Sequence, residues 1–394
     1  MKKILLYIIA PILAVLVTSG VLLMRYPHLP AIVEEGFPAP RWPASGIFLR
    51  VTGQPISLPK KDLKLAPLNN EWAEKLKDLN IERETDALLA FHKGELKYAY
   101  YRDGVDETTQ FNSYSMVKSL IGVLVMKAID EGEIGGLQTP IGEYLIDLPD
   151  KNLGNQTIER FLTMQSGLKF EKRKSTKPYI PATTKRKDKD SSNPFSDMAR
   201  LHVGGLQAVM NDLRIPDTPS TDYHYQNVNT ALLGAMLRAI YKKPLNELLS
   251  EKLWKPAGAA HARWRTYTNE GSITPYCCLF ATANDWGKVA HYINTNGTRG
   301  SKFLSGETRQ YMLAKHFDEA RLREGVFGLH IRHNILDRKG EPLQGPFTYF
   351  VGHNGQLVYL MPSHDLVVVR FGRSLQLLHS TLYYLWRIIR PNGE

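Results

Sequence analysis

Strand-like segments stand towards both ends of this 394-residue chain, and helix-like segments fill the stretch between them. Asp86-Ala-Leu-Leu-Ala-Phe-His92 and Leu96-Lys-Tyr-Ala-Tyr-Tyr101 flank Lys93-Gly-Glu95, the pattern of a β-hairpin with a glycine turn. Phe347–Val351, Leu357–Met361 and Leu366–Phe371 predict antiparallel strands with short turns. Between these ends, Leu120, Ile121, Leu124, Val125, Ala128 and Ile129 share one face of a helix running from near Ser115 to about Glu131. Gly132 is its stop. Thr157–Gln165, Asn227–Tyr241 and Pro244–Leu253 read as further helices, and Gln376–Ile389 as a last one. Strands so far apart in sequence share a core when one sheet is built from both ends. The pattern predicts an α+β fold, an antiparallel sheet flanked by helices with an all-helical insertion at roughly 132–260. The expected organisation is an N-terminal segment over 1–28, a Pro-rich linker and wrapping segment over 29–80, and one large domain over 81–394.

Composition narrows the class. With 43% hydrophobic and 23% charged residues the chain is neither disordered nor fibrous. The two cysteines, Cys277 and Cys278, are adjacent, which excludes a disulfide framework and the cysteine-rich zinc patterns. Joining neighbours closes a strained ring, so two buried thiols are expected there. Lys plus Arg number 50 against 39 Asp plus Glu, a formal +11. Part of that excess is local, in Lys169, Lys172, Arg173, Lys174, Lys177, Lys185, Arg186, Lys187 and Lys189. A solvated basic loop is the plain reading; a rim attracting acidic substrate or lipid headgroups is the other. No zinc finger, RNA-binding signature or repeat accompanies it, so no nucleic-acid partner is expected.

Lys2 and Lys3 precede an uncharged run from Ile4 to Met24, closed by Arg25. At helical rise that run covers about 32 Å, the thickness of a hydrocarbon core. Small residues at Val17-Thr-Ser-Gly20 also suit a cleaved signal peptide, but the apolar run continues beyond them. The expectation is an uncleaved, single-pass anchor in a bacterial inner membrane. The paired lysines would keep the N-terminus in the cytoplasm and place the large domain in the periplasm or outside the cell.

Three short motifs carry the chemistry. A serine hydroxyl needs a base beside it to act as a nucleophile, and Ser-x-x-Lys at a helix start brings a lysine one turn away. The spacing occurs at Ser57–Lys60, Ser115–Lys118 and Ser166–Lys169. Ser57 sits in the Pro-rich linker and Ser166 follows a helix end. Only Ser115-Met-Val-Lys118 opens a long amphipathic helix, where apolar walls would favour a neutral lysine. An ordinary helix-capping serine is the alternative. Tyr-x-Asn recurs at Tyr225–Asn227, Tyr267–Asn269 and Tyr292–Asn294. Tyr225-Gln-Asn227 stands where a loop meets a helix, so its phenol could work as a base beside a lysine and its amide could hold a substrate carbonyl. Gly352-His-Asn-Gly355 lies between two predicted strands, where a glycine lets a ligand approach the backbone. The amides of Gln356 and Ser115 could then face an oxyanion. His330 and His333, the nearest histidine pair, lack the companions of a metal site.

In this order the three motifs resemble the serine β-lactamase and penicillin-binding-protein superfamily. The likeness is to its class C-like branch of esterases, D-amino-acid peptidases and 6-aminohexanoate-oligomer hydrolases. It extends roughly from Asp86 to Gly372 and includes Thr157-Ile-Glu-Arg-Phe-Leu-Thr-Met-Gln-Ser-Gly-Leu168, Leu232-Leu-Gly234 and Ala281-Thr-Ala-Asn-Asp-Trp286. The resemblance implies a β-lactamase-like sheet and a metal-free, cofactor-free acyl-enzyme mechanism. It makes Ser115 the nucleophile, Lys118 its partner in proton transfer and Tyr225 the general base that later protonates the leaving group. Asn227, His353, Asn354 and Gly355 become substrate-binding residues, and the Ser115 and Gln356 amides the oxyanion hole. Where β-lactamases and penicillin-binding proteins usually carry Lys-Thr-Gly, this chain has His353-Asn354-Gly355. The expected activity is cleavage of a small amide or ester. A D-alanyl-type peptidoglycan peptidase or β-lactamase is the first alternative, and an inactive ligand-binding relative the second.

Overall fold

The computed structural model describes residues 2–34, 47–56, 71–170, 193–267, 271–298, 300–313, 317–374 and 378–390. The basic 169–189 stretch falls almost wholly outside them, as do Ser57, Lys60 and Asn269.

Strand β1 (Phe48–Val51) is followed by the hairpin β2 (Thr85–His92) and β3 (Glu95–Tyr101), then by β4 (Gln110–Asn112). Further along come β5 (Ala262–Arg265) and β6 (Leu279–Thr282), and a short hairpin of β7 (Gly297–Thr298) and β8 (Ser301–Lys302). The last five are β9 (Val326–Gly328), β10 (Ile331–Leu336), β11 (Gly345–Gly352), β12 (Gln356–Met361) and β13 (Leu366–Gly372). A seven-stranded antiparallel sheet runs β3-β2-β13-β12-β11-β10-β9. The pairing of β2 with β13 sets Phe91 opposite Val367 and Leu89 opposite Val369, so the two ends of the chain do meet in one sheet. The smaller sheet runs β1-β5-β6-β4.

Every residue of β2 is buried, because both faces of the large sheet are covered. Ala87, Leu89, Phe91, Val367 and Val369 face a core shared with the helices Val117–Asp130, Asn227–Tyr241 and Ala283–Asn294. Leu88, Ala90, Tyr359 and Val368 face the other way, onto Leu382, Leu385 and Trp386 of the helix Thr381–Ile389. That helix is shorter than the sequence pattern suggested and starts at Thr381.

Two expectations are corrected. The N-terminal membrane anchor is not supported: among the described residues no helix is long and apolar enough to cross a membrane. Lys2–Arg25 does form one helix, but Pro11 lies inside it, and Thr18, Ser19 and Gly20 interrupt its apolar run. The chain then folds back onto the domain. Ala31 and Ile32 pack with Ala199 and Val203. The His28 ring lies 2.8 Å from the Pro194 carbonyl, and the Tyr26 and Phe195 rings meet edge to face. The second correction concerns Cys277 and Cys278, which are joined in a disulfide rather than left as thiols. Cys278 takes the left-handed conformation, φ 71°, so the backbone there is already bent into a turn.

The sheet reaches the nucleophile motif at Gly352, the last residue of β11. A Cβ there would lie 2.2 Å from the Ser113 carbonyl oxygen. Gly352→Ala must therefore push sheet and motif apart. It should cost about 1–3 kcal/mol of stability, as overpacking does, read as a lowered urea midpoint.

Candidate active site

Strand β4 pairs with β6 and delivers the chain to Ser113. The Ser113 N–H donates to the Leu279 carbonyl at 2.9 Å, and the Leu279 N–H donates to Ser113 Oγ at 3.1 Å. Tyr114 follows in the left-handed region, φ 45°, with its N–H held by Asn112 Oδ1 at 2.9 Å. A single 3-10 turn, Tyr114–Met116, then leads into the helix Val117–Asp130. Ser115 therefore sits on a tight turn before the helix, and Lys118 lies one turn on.

Lys118 is buried, and its Nζ stands 3.0 Å from Ser115 Oγ. The same nitrogen donates to the Tyr276 carbonyl at 2.8 Å. The ring centres of Tyr225 and Tyr276 lie 5.1 and 5.4 Å from it, within cation–π range. First and second motifs therefore meet at this nitrogen. Tyr276 was not legible as a partner, since it comes 158 residues after Lys118 and acts through its main-chain oxygen.

Tyr225 and Asn227 flank Gln226, which is extended and precedes the helix Asn227–Tyr241. The segment that resembled the family's spacer clamps them from below. Gln226 Nε2 donates to the Leu168 carbonyl at 2.9 Å, and the His224 N–H to the Met164 carbonyl at 2.7 Å. Ser166, of the competing Ser-x-x-Lys, is buried and donates to Asn229 Oδ1 at 2.8 Å. Among the other Tyr-x-Asn candidates, Tyr267 is buried in the core, and Asn294 lies 3.4 Å from Asp365.

His353, Asn354 and Gly355 form the turn between β11 and β12, and the His353 ring meets the Tyr114 ring edge to face at 5.4 Å. Asn354 and Gly355 are both left-handed, φ 60° and 73°. Gln356 opens β12 with a buried side chain that donates to the His353 and Gly372 carbonyls at 3.0 and 2.8 Å. The turn is thus tied to the end of β13.

Behind the lysine lies a buried polar layer. His330 accepts or donates through Nε2 to Thr230 Oγ1 at 3.0 Å and faces the Leu162 carbonyl with Nδ1, also at 3.0 Å. Ser119, one residue after Lys118, donates to the His330 carbonyl at 2.8 Å. Burial first, and then the neighbouring Lys118 charge, push the His330 pKa down to about 3. Burial does the same to His379, down to about 4. Unfolded histidines bind a proton near 6.5. Below that pH the unfolded chain gains protons that the folded chain refuses, so stability is full above about 6.5 and is lost progressively towards 3. Urea midpoints should fall from pH 7 to pH 4.5, and His330→Gln should flatten the slope. A midpoint unchanged between pH 7 and 4.5 would contradict this account.

Comparison with known proteins follows the same outline. A model described as Beta-lactamase matches residues 73–380. Over 311 residues the chain is 25% identical to the 6-aminohexanoate-dimer hydrolase of Paenarthrobacter ureafaciens, spanning 76% of either chain. Among solved structures, a candidate 6-aminohexanoate-dimer hydrolase from Bacillus anthracis shares the fold at a TM-score of 0.66 and 20% identity, over 89% of this chain and 94% of that one. EstCE1, a hydrolase with promiscuous acyltransferase activity, does so at 0.58 and 14%, over 82% and 98%. The matched span takes in the large sheet, the helices on its inner face and all three motifs, and by that match the chain belongs to the Beta-lactamase family, within the serine hydrolases.

Proposed function

We propose that the protein hydrolyses a small amide or ester through an acyl-enzyme on Ser115. The observation that carries this is the Lys118 nitrogen, 3.0 Å from Ser115 Oγ and walled by two tyrosine rings. A hydroxyl in that setting receives a hydrogen bond from the lysine, and the Tyr225 phenol beside that lysine is the base that takes its proton. Ser115 Oγ adds to the substrate carbonyl while Lys118 and Tyr225 take its proton between them. The tetrahedral oxygen is held by the Ser115 and Gln356 amides. Collapse breaks the bond to the leaving amine or alcohol, which departs with the proton from Tyr225. Water then enters, adds to the acyl carbon and releases the acid, returning the proton to Ser115.

The substrate class is an uncyclised amide or ester. His353 and Asn354 supply neither the lysine cation nor the hydroxyl that β-lactamases and penicillin-binding proteins usually offer to a substrate carboxylate. The curated relative is named for a 6-aminohexanoate dimer, a linear amide. Asn227, His353 and Asn354 orient that substrate beside Ser115.

Intact-mass spectrometry tests the reading. The protein would be mixed in turn with a fluorophosphonate, an aryl ester, an aminohexanoate dimer and a penicillin, beside Ser115→Ala. The parent should gain the phosphonyl mass and turn over the ester or the dimer, and the variant should do neither. Lys118→Ala and Tyr225→Phe should each lower kcat/KM by about a hundred- to ten-thousand-fold, the usual span for a proton-transfer group. A folded parent that forms no adduct with any probe would sink the proposal.

A further inference from the structure

Arg370 lies on β13, and its side chain is wholly buried. Its donors all go to neutral oxygens. Nη1 donates to the carbonyls of Gly355 at 2.7 Å, Ser374 at 3.0 Å and Asn354 at 3.3 Å. Nη2 donates to the Arg83 carbonyl at 2.6 Å, and Nε to Thr85 Oγ1 at 3.3 Å. Burial lowers its pKa to about 10, so the guanidinium stays charged at neutral pH. Room has been made for it: a Cβ on Gly372 would fall 2.5 Å from Nη2. A buried cation that bonds to no carboxylate among the described residues, with Asp86 and Glu84 acting on it only through space, is a cost to folding, and an apolar side chain of similar length would avoid it.

The bond to Gly355 explains what the charge does. The carbonyl of Gly355 and the N–H of Gln356 are two ends of one peptide group. A cation on the oxygen draws electron density away from the N–H and strengthens it as a donor. The same bonds pin a turn that has two successive left-handed residues, Asn354 and Gly355. We propose that Arg370 is a positioning residue of the oxyanion site, holding and polarising the Gly355–Gln356 peptide so that the Gln356 N–H meets the developing negative charge. This rests on the proposed acyl-transfer reading, in which that N–H is one of two oxyanion donors. The charge is felt only when the carbonyl oxygen becomes anionic, so its effect belongs to the transition state rather than to substrate binding.

The test compares Arg370→Met, Arg370→Lys and Val367→Ala, the last a buried core position of the same strand. Aryl-ester kinetics are measured per folded molecule, and the Gln356 amide is followed by NMR after selective 15N-glutamine labelling. R370M should lower kcat by about 10- to 100-fold with KM within about twofold, and should move the Gln356 amide proton upfield. R370K, which keeps the charge, should recover part of both. V367A should lose melting temperature yet keep kcat. If R370M fails to fold, R370K carries the comparison, and it should still lower kcat more than V367A does and move the Gln356 amide proton upfield from the parent. Loss of kcat no greater than in V367A, or an unmoved Gln356 amide, would overturn the proposal. Ester turnover that persists in Ser115→Ala would instead overturn the acyl-enzyme reading, and the amide shift would still judge Arg370 by itself.

Discussion

A lysine nitrogen 3.0 Å from a serine hydroxyl has to be held there by something other than the hydroxyl. Here the anchor is the Tyr276 carbonyl at 2.8 Å, with the rings of Tyr225 and Tyr276 as walls. Tyr276 begins a short stretch that turns through the joined Cys277–Cys278 pair and enters β6. That stretch bonds back to the nucleophile turn at Ser113 and at the Tyr114 carbonyl. The position of the reactive pair therefore depends on the pairing of β4 with β6, and on Gly352 letting the large sheet close against Ser113. The same segments that make the fold set the distance between Lys118 and Ser115.

Around this pair the interior is more polar than a core needs to be. Ser119, Thr230 and His330 form one buried chain, Ser166 and Asn229 another, and Arg370 with the Gly355 carbonyl a third. Such groups are tolerated because each is hydrogen-bonded, and unpaired they would cost about 1–3 kcal/mol apiece. Each chain ends on a main-chain atom or helix that carries one of the three motifs. Polar bonding is directional where apolar packing is not. That is a reason for building the support of a reactive site from it.

Much of the sheet was readable from pattern alone. The hairpin around Gly94 and the three late strands fall within a residue or two of β2, β3, β11, β12 and β13, because alternation and glycine turns act locally. The helix after Ser115 was readable for the same reason, and context picked Ser115 over Ser57 and Ser166. What pattern could not show was anything set by distant main-chain atoms. Tyr276 meets Lys118 through its carbonyl, and any residue type has one. Arg370 looked like an ordinary strand residue until the turn at Gly355 was seen to end on it. The N-terminal segment misled because hydropathy reports what a helix can enter, not where it packs. Residues just beyond it are bound to Pro194, Ala199 and Val203. The cysteines misled because ring strain was weighed without the left-handed turn at Cys278.

The pairing of β2 with β13 has a consequence for the time at which this molecule becomes reactive. Synthesis exposes Ser115 and Lys118 early, when Tyr276, the Gly355 turn and β13 have not yet been made. Until Leu366–Gly372 slots in beside Thr85–His92, the early hairpin of β2 and β3 is parted from the rest of the sheet. Loop closure over so long a span is slow, since its entropy is lost before any contact is gained. The three motifs are therefore held together only once a strand made near the end of synthesis has paired with one made near its start.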